Sequence, residues 1–134
     1  MNTIEYLIEE ALITIFRDKV PEIDWLHFEH EETGRNGKPI GVIKSERGDR
    51  TTLCFNNHEV TLYILGAKDE LHRKIDEAVG DREQLGLDIA EASNGSVIIG
   101  EVTAWTVDRA TAESNLYSRT WVSQVEAGYS KTNN

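Results

Sequence analysis

Apolar side chains recur at helical spacing from the start of the chain, with Ile4, Leu7, Ile8, Ala11, Leu12 and Ile15 on one stripe. That period predicts an amphipathic first helix, capped by Asn2 or Thr3 and stopped by Pro21. At about 100° per residue, Tyr6 and Ile13 fall on the opposite side, beside Glu9, Glu10 and Arg17. They form a second, small apolar patch. Two exposed apolar residues are ordinary on a monomer, and the same pair would serve as a subunit contact.

From Ile23 the period changes to two. The segments "IDWLHFEH", "PIGVIKSE", "RTTLCFNN" and "HEVTLYILG" are separated by turn-forming "TGRNGK", "RGDR" and "NN". They predict four antiparallel strands. Asn56-Asn57 supplies a two-residue hairpin loop, because Asn tolerates the positive φ of such turns. Pairing Phe55 with His58 places Leu53, Phe55, Val60, Leu62 and Ile64 on the core face, and Thr52, Cys54, Glu59, Thr61 and Tyr63 on the wetter one.

A second helix follows in "AKDELHRKIDEAVG", with Leu71, Ile75, Ala78 and Val79 inward and Gly80 as its stop. Asp69/Arg73 and Glu70/Lys74 form surface pairs on it, and the helix is expected to cross the core face of the sheet. Residues 81–95 read as a long loop with a helical turn around "GLDIAEA". Two closing strands, "SVIIGEVTAWTVDR" and "NLYSRTWVSQVEA", are joined around "ATAES". A loop centred on Glu113 sets Trp105 across from Trp121 and Val107 across from Arg119. A slip of one residue would put the two rings on opposite faces. The expected fold is α+β, a mainly antiparallel sheet with an N-terminal helix and one helix packed on the sheet.

The 134 residues, 39% of them hydrophobic, suffice for one domain spanning 1–134, and no Pro/Gly/Ser-rich linker divides them. The net charge is -10, and each half of the chain is acidic: Met1 to Gly66 holds 12 acids against 7 bases. Nucleic acids and anionic membranes are bound through clustered Lys and Arg, whereas the cations here are scattered among acids. With one cysteine, Cys54, the chain forms no internal disulfide and no multi-cysteine metal cage, which fits a reducing cytoplasm. The amino terminus lacks the basic start and unbroken apolar run of a signal peptide, and no segment has the length of a membrane span.

The stretch "WLHFEHEETGRNGKP" gathers two histidines and three glutamates, residue types that ligate zinc. On a strand, His27 and His30 point to opposite faces and cannot share one ion. His27 with Glu29, or His30 with Glu32, supplies two ligands where a structural site takes four, and His58 and His72 lie on other elements. No metal site is expected. There is no G-x-S-x-G, P-loop or dinucleotide fingerprint, and "NGSVIIG" precedes a strand instead of a helix. The acids read as solvated surface, not as a desolvated acid/base pair. No catalytic residue and no cofactor is assigned.

The order of elements resembles that of the tail-terminator (tail-completion) proteins of long-tailed bacteriophages. The resemblance is carried by the amphipathic helix followed by "VPEIDW", by "LCFNNHEVTLYILG", by "DELHRKIDEAV" and by "RTWVSQVEAGYS". It implies a structural virion protein and not an enzyme. Such a protein forms a ring, a hexamer in the family, at the head-proximal end of the tail tube. It ends tube polymerisation and joins the tail to the head connector. The implied partners are copies of itself, the tail tube protein and the connector or neck proteins, with DNA only in transit and no membrane. Assembly would occur in the host cytoplasm. Tyr6, Ile13, Arg119 and Trp121 are the candidate interface residues, and an acid near Arg119 on a neighbouring subunit is its expected partner. Two other classes fit the composition: a small acidic inhibitor or immunity-type protein that binds a basic partner, or a minor enzyme.

Overall fold

The computed structural model describes residues 3–27, 38–51, 54–109 and 119–129. In chain order the elements are α1 (Ile4–Lys19), β1 (Asp24–His27), β2 (Ile40–Arg50), β3 (Asn56–Leu65), α2 (Asp69–Gly80), α3 (Arg82–Ala92), β4 (Val97–Val102), β5 (Thr106–Arg109) and β6 (Arg119–Tyr129). The strands form one sheet in the order β1-β2-β3-β6-β4, with β5 also paired to β6. All pairings are antiparallel except β1 with β2. The α+β class, the mostly antiparallel sheet and the N-terminal helix agree with the reading of the sequence.

α1 starts where Thr3 Oγ1 accepts from the backbone N–H of Tyr6, one turn in. Its apolar stripe packs with Val60, Leu62 and Ile64 of β3, Ile43 of β2 and Trp121 of β6 in a single core. Trp25 of β1 closes one end of that core. Its ring stacks on Phe16 at 4.8 Å, and its Nε1 donates to the carbonyl of Val20 at 2.9 Å. Trp25 lies so close to Gly41 that a Cβ there would stand 2.5 Å from the indole. Only glycine leaves room for the ring.

Five expectations are corrected. The first two strands run parallel, not antiparallel: Asp24 is in register with Ile40 and His27 with Ile43. Alternation reports which face a residue takes, not which way its strand runs, and the stretch from 28 to 39 is long enough for a parallel return. The expected turn at "TGRNGK" and the residues Phe28, Glu29, His30 and Glu32 lie outside the described residues.

Asn56 and Asn57 are not a hairpin loop. They belong to β3, opposite Ala127 and Glu126 of β6, and Asn56 is also in register with Arg50. The turn lies earlier, closed by the Thr51 N–H donating to the Phe55 carbonyl at 3.0 Å. A long partner strand distant in sequence gives both asparagines ladder partners, and that outweighs their turn preference. Of the expected strand "RTTLCFNN", Arg50 ends β2 and Asn56 and Asn57 open β3, while Thr52 and Leu53 lie outside the described residues.

Residues 81–95 carry a full helix. Asp81 caps α3 by accepting from the Gln84 N–H at 3.1 Å, while Leu85, Gly86 and Ile89 face inward and Asn94 and Gly95 leave the helix with positive φ. Its apolar stripe is short and interrupted by exposed Leu87, so the periodicity is weak. The helix is held by packing against β4 and α1.

The first closing strand is broken into β4 and β5, and its register moves along its length. Val97 pairs with Tyr129, Val102 with Val125 and Thr106 with Val122. Two bulges each add one residue to this side, one beside Gly100 and one between Val102 and Thr106. The expected register holds at Val97–Ile99 and is displaced by two residues at β5. Val107, not Trp105, therefore stands opposite Trp121, and Arg109, not Val107, opposite Arg119.

The last correction concerns α1. Ile13 is 1% exposed and belongs to the core, so Tyr6 and Ile13 are not a free apolar patch. Tyr6, Glu10, Ile13 and Arg17 share one stripe that rests on β1. Tyr6 stacks on His27, and Arg17 donates to the Trp25 carbonyl at 3.3 Å. Ile13 lies between those two anchors on the stripe and is buried, while Tyr6 and Arg17 stay exposed.

Candidate assembly surfaces

The candidate residues are placed by two edges of the sheet, the β1 edge and the opposite edge that β5 and β4 form along β6. At the β1 side, residues from α1 close around His27. Its Nδ1 is 3.3 Å from Glu9 Oε1, its Nε2 is 3.1 Å from Glu10 Oε1, and its ring stacks on Tyr6 at 5.0 Å and 1° between planes. Glu9 Oε2 accepts the Ser45 N–H at 2.8 Å, and the Tyr6 hydroxyl donates to Glu10 at 2.7 Å. The Tyr6 hydroxyl, with His27 and Arg17 behind it, holds the Glu10 carboxyl below its ordinary range against a smaller effect of burial. The same bond raises the Tyr6 phenol.

One turn earlier on α1, Glu5 accepts from Arg47 Nε at 2.8 Å and lies 3.7 Å from Nδ1 of His58, which is fully buried. Burial pushes the Glu5 carboxyl up, but its backbone hydrogen bond and Arg47 outweigh that, and the net shift is downward. Burial holds the His58 imidazole below its ordinary value, with Glu5 opposing and Arg47 assisting. His27 is thus held by the α1 carboxylates of Glu9 and Glu10. Tyr6 with Glu10 is legible as an i,i+4 pair, but their contact with His27 depends on how α1 lies over β1.

At the β5 side, Arg119 Nη2 lies 3.7 Å from Asp69 Oδ1 of its own chain. Trp121 is fully buried within the subunit; its Nε1 donates to Asp76 Oδ1 at 2.8 Å and its ring meets His72 edge-on at 5.8 Å. Of the four candidate interface residues, Tyr6 is exposed and Arg119 partly so, while Ile13 and Trp121 are interior. Val107 on β5 is 41% exposed and Tyr6, beside β1, 40%. These two apolar side chains flank opposite edges of one sheet, a pair that periodicity did not single out.

The edge that bears β5 continues along β4. Among the described residues β4 pairs with β6 alone. A groove of about 1140 Å³ runs between this edge and α3, lined by Gly86, Leu87, Ala90, Ile98, Ile99 and Glu101 among others. Among the described residues no group of histidines, cysteines and carboxylates is arranged to hold a metal ion, and no helix is long and apolar enough to cross a membrane.

The chain matches no known protein family and no curated protein.

Proposed function

We propose that this protein is a structural subunit of the tail-terminator kind, which closes into a ring, ends a phage tail tube and joins it to the head connector. The observation that carries the reading is the placement of Tyr6 and Val107 at opposite edges of one sheet. Two different surfaces at opposite ends of a subunit suit a head-to-tail contact, and repeated head-to-tail contacts form a ring where the rotation between subunits closes. An isologous dimer would need one self-complementary patch instead.

Three further features support it. The resemblance named above lends support through the amphipathic α1 and the closing strand β6, although "LCFNNHEVTLYILG" lies mostly on the single strand β3 and two helices, α2 and α3, stand where one was expected. The polar groups around His27 and His58 are engaged in orienting α1 on the sheet, and the role requires no chemistry. An acidic subunit also suits a channel wall that lets DNA pass without gripping it, since binding to phosphates requires clustered cations. In this reading the partners are copies of the chain, the tail tube protein and connector or neck proteins, and the site of action is the virion.

Native mass spectrometry combined with negative-stain imaging tests the proposal. A single closed species, hexameric by the family pattern, with a central opening is expected. Tyr6→Glu should shift it to smaller species while the far-UV spectrum is unchanged. A monomer at every concentration, or a two-fold dimer, would overturn the ring reading.

A further inference from the structure

The edge of β4 carries an arrangement that the ring does not use. Glu101 and Glu126 stand directly opposite each other on β4 and β6, and like charges so placed destabilise a sheet. Glu46 and Glu59 are opposed in the same way on β2 and β3, but there Lys44 pairs with Glu46, and Gln124 donates to Glu59 at 3.5 Å. Among the described residues no cation pairs with Glu101 or Glu126. The Glu126 carboxylate leans over Gly100, where a Cβ would lie 2.2 Å from its Oε1. Gly100 is the residue beside the bulge, and its lack of a side chain lets the carboxylate reach toward the free edge.

The other side of the same edge is mixed, with apolar residues along α3 and β4 and with Asp81, Arg82 and Glu83 also lining the groove. Beneath α3 the groove offers Gly86, Ala90 and Ile99, with Leu87 65% exposed and Ile98 43% exposed beside it. An unpaired strand edge presents backbone donors and acceptors to any extended chain laid along it, and natural edges are usually blocked to prevent this. Here one bulge interrupts the edge, and the groove's volume of about 1140 Å³ is at the upper end for small-molecule pockets.

We propose that β4 accepts an extended segment of a partner protein as an added strand, with alternating basic and apolar side chains. Successive residues of a strand point to opposite faces, so one set enters the groove under α3 and the other meets Glu101 and Glu126. The first set is apolar and the second is Lys or Arg. Partner cations relieve the repulsion that the fold leaves uncompensated. A second copy is a poor occupant, because each chain carries a net charge of -10 and would bring more carboxylates to this edge. The proposal does not depend on the ring reading, since it invokes β4 and α3 and not Tyr6 or Val107, although β5, which carries Val107, continues the same edge.

The test uses the full chain and three synthetic peptides: acetyl-Lys-Val-Lys-Val-Lys-Val-Lys-amide, its Glu-Val counterpart, and a blocked peptide with the four Lys followed by the three Val. Fluorescence anisotropy measures binding, and hydrogen exchange read by mass spectrometry locates it. The alternating Lys-Val peptide should bind saturably and slow exchange at residues 97–102 and 82–90. Glu101→Gln combined with Glu126→Gln should weaken it about tenfold, the size expected for losing two charge pairs at a partly desolvated site. Leu87→Asp should weaken it as well, and because Leu87 is exposed the fold is kept. The Glu101/Glu126 double variant should itself melt no lower than the parent, which shows that a loss of binding is not a loss of folding. Equal binding of the blocked or Glu-Val peptide, protection away from β4 and α3, or undiminished binding by the variants would overturn the proposal. So would protection of 97–102 that grows with protein concentration in the absence of peptide, because a second copy would then hold the edge.

Discussion

Trp121 Nε1 donates to Asp76 Oδ1 at 2.8 Å, joining the central strand β6 to α2. The indole is fully buried while the carboxylate sits on the exposed side of its helix. Removing the acceptor leaves a buried donor unsatisfied, which costs about 1–3 kcal/mol. Asp76→Ala should lower the urea midpoint by that amount with an unchanged denaturant slope, while Asp76→Asn, which keeps an acceptor, should recover most of the loss. Equal midpoints for Asp76→Ala and the parent would mean that water replaces the carboxylate.

Ile13 and Tyr6 lie on one stripe of α1 but should respond oppositely to substitution. Ile13→Ala empties a core site and should cost about 2–5 kcal/mol, and Ile13→Glu should prevent folding because it buries an unpaired charge. Tyr6→Phe removes a solvent-facing hydrogen bond to Glu10 and should change stability by less than about 0.5 kcal/mol. Thermal melts of the variants separate the two positions; a mild effect at Ile13 would contradict its burial.

Arg119 pairs with Asp69 of its own chain at 3.7 Å, and Asp69 is exposed. An ion pair with one exposed partner contributes about 0–1 kcal/mol, so Arg119→Ala should leave the melting temperature nearly unchanged. In a ring, the same change should weaken assembly, and the effect should shrink as salt is raised. Assembly measured by sedimentation at low and high salt checks this, and an identical assembly profile for variant and parent would confine Arg119 to its intrachain role.

Acid should weaken the fold in two windows. The His58 imidazole titrates below its ordinary value of 6.5, so the unfolded chain takes up that proton more readily than the folded one. Stability from this group is complete above 6.5 and declines as the pH falls through 6.5 toward the folded value. Glu5, whose carboxyl is held below its ordinary 4.5, contributes stability above 4.5 that is lost as the pH falls further. Denaturation across the acid range should therefore show a first decline that His58→Phe abolishes and a second that Glu5→Gln abolishes. A first decline that persists in His58→Phe would assign it to another group.

What the sequence determined by itself is local and periodic. The stripe of Ile4, Ile8, Leu12 and Ile15 makes α1, the alternation of Val60, Leu62 and Ile64 sets the inner face of β3, and Ile75 with Val79 sets that of α2. These hold because burial of one face repays the ordering of a helix or strand wherever the element ends up. Tertiary structure decided the rest. The parallel placement of β1 covers the stripe bearing Ile13 and brings His27 between Glu9 and Glu10. The length of β6 draws Asn56 and Asn57 into a strand, and contacts with β4 and α1 hold α3, whose own pattern is weak. Two bulges, each a single residue, carry Val107 to the place opposite Trp121. Strand direction, register and the cover over a helix's second side are properties of partners distant in sequence, and a one-residue shift leaves the hydrophobic pattern almost unchanged while it reassigns every cross-strand neighbour. The opposed Glu101 and Glu126 at the edge of β4 arise in the same way, from a pairing that neither segment specifies alone.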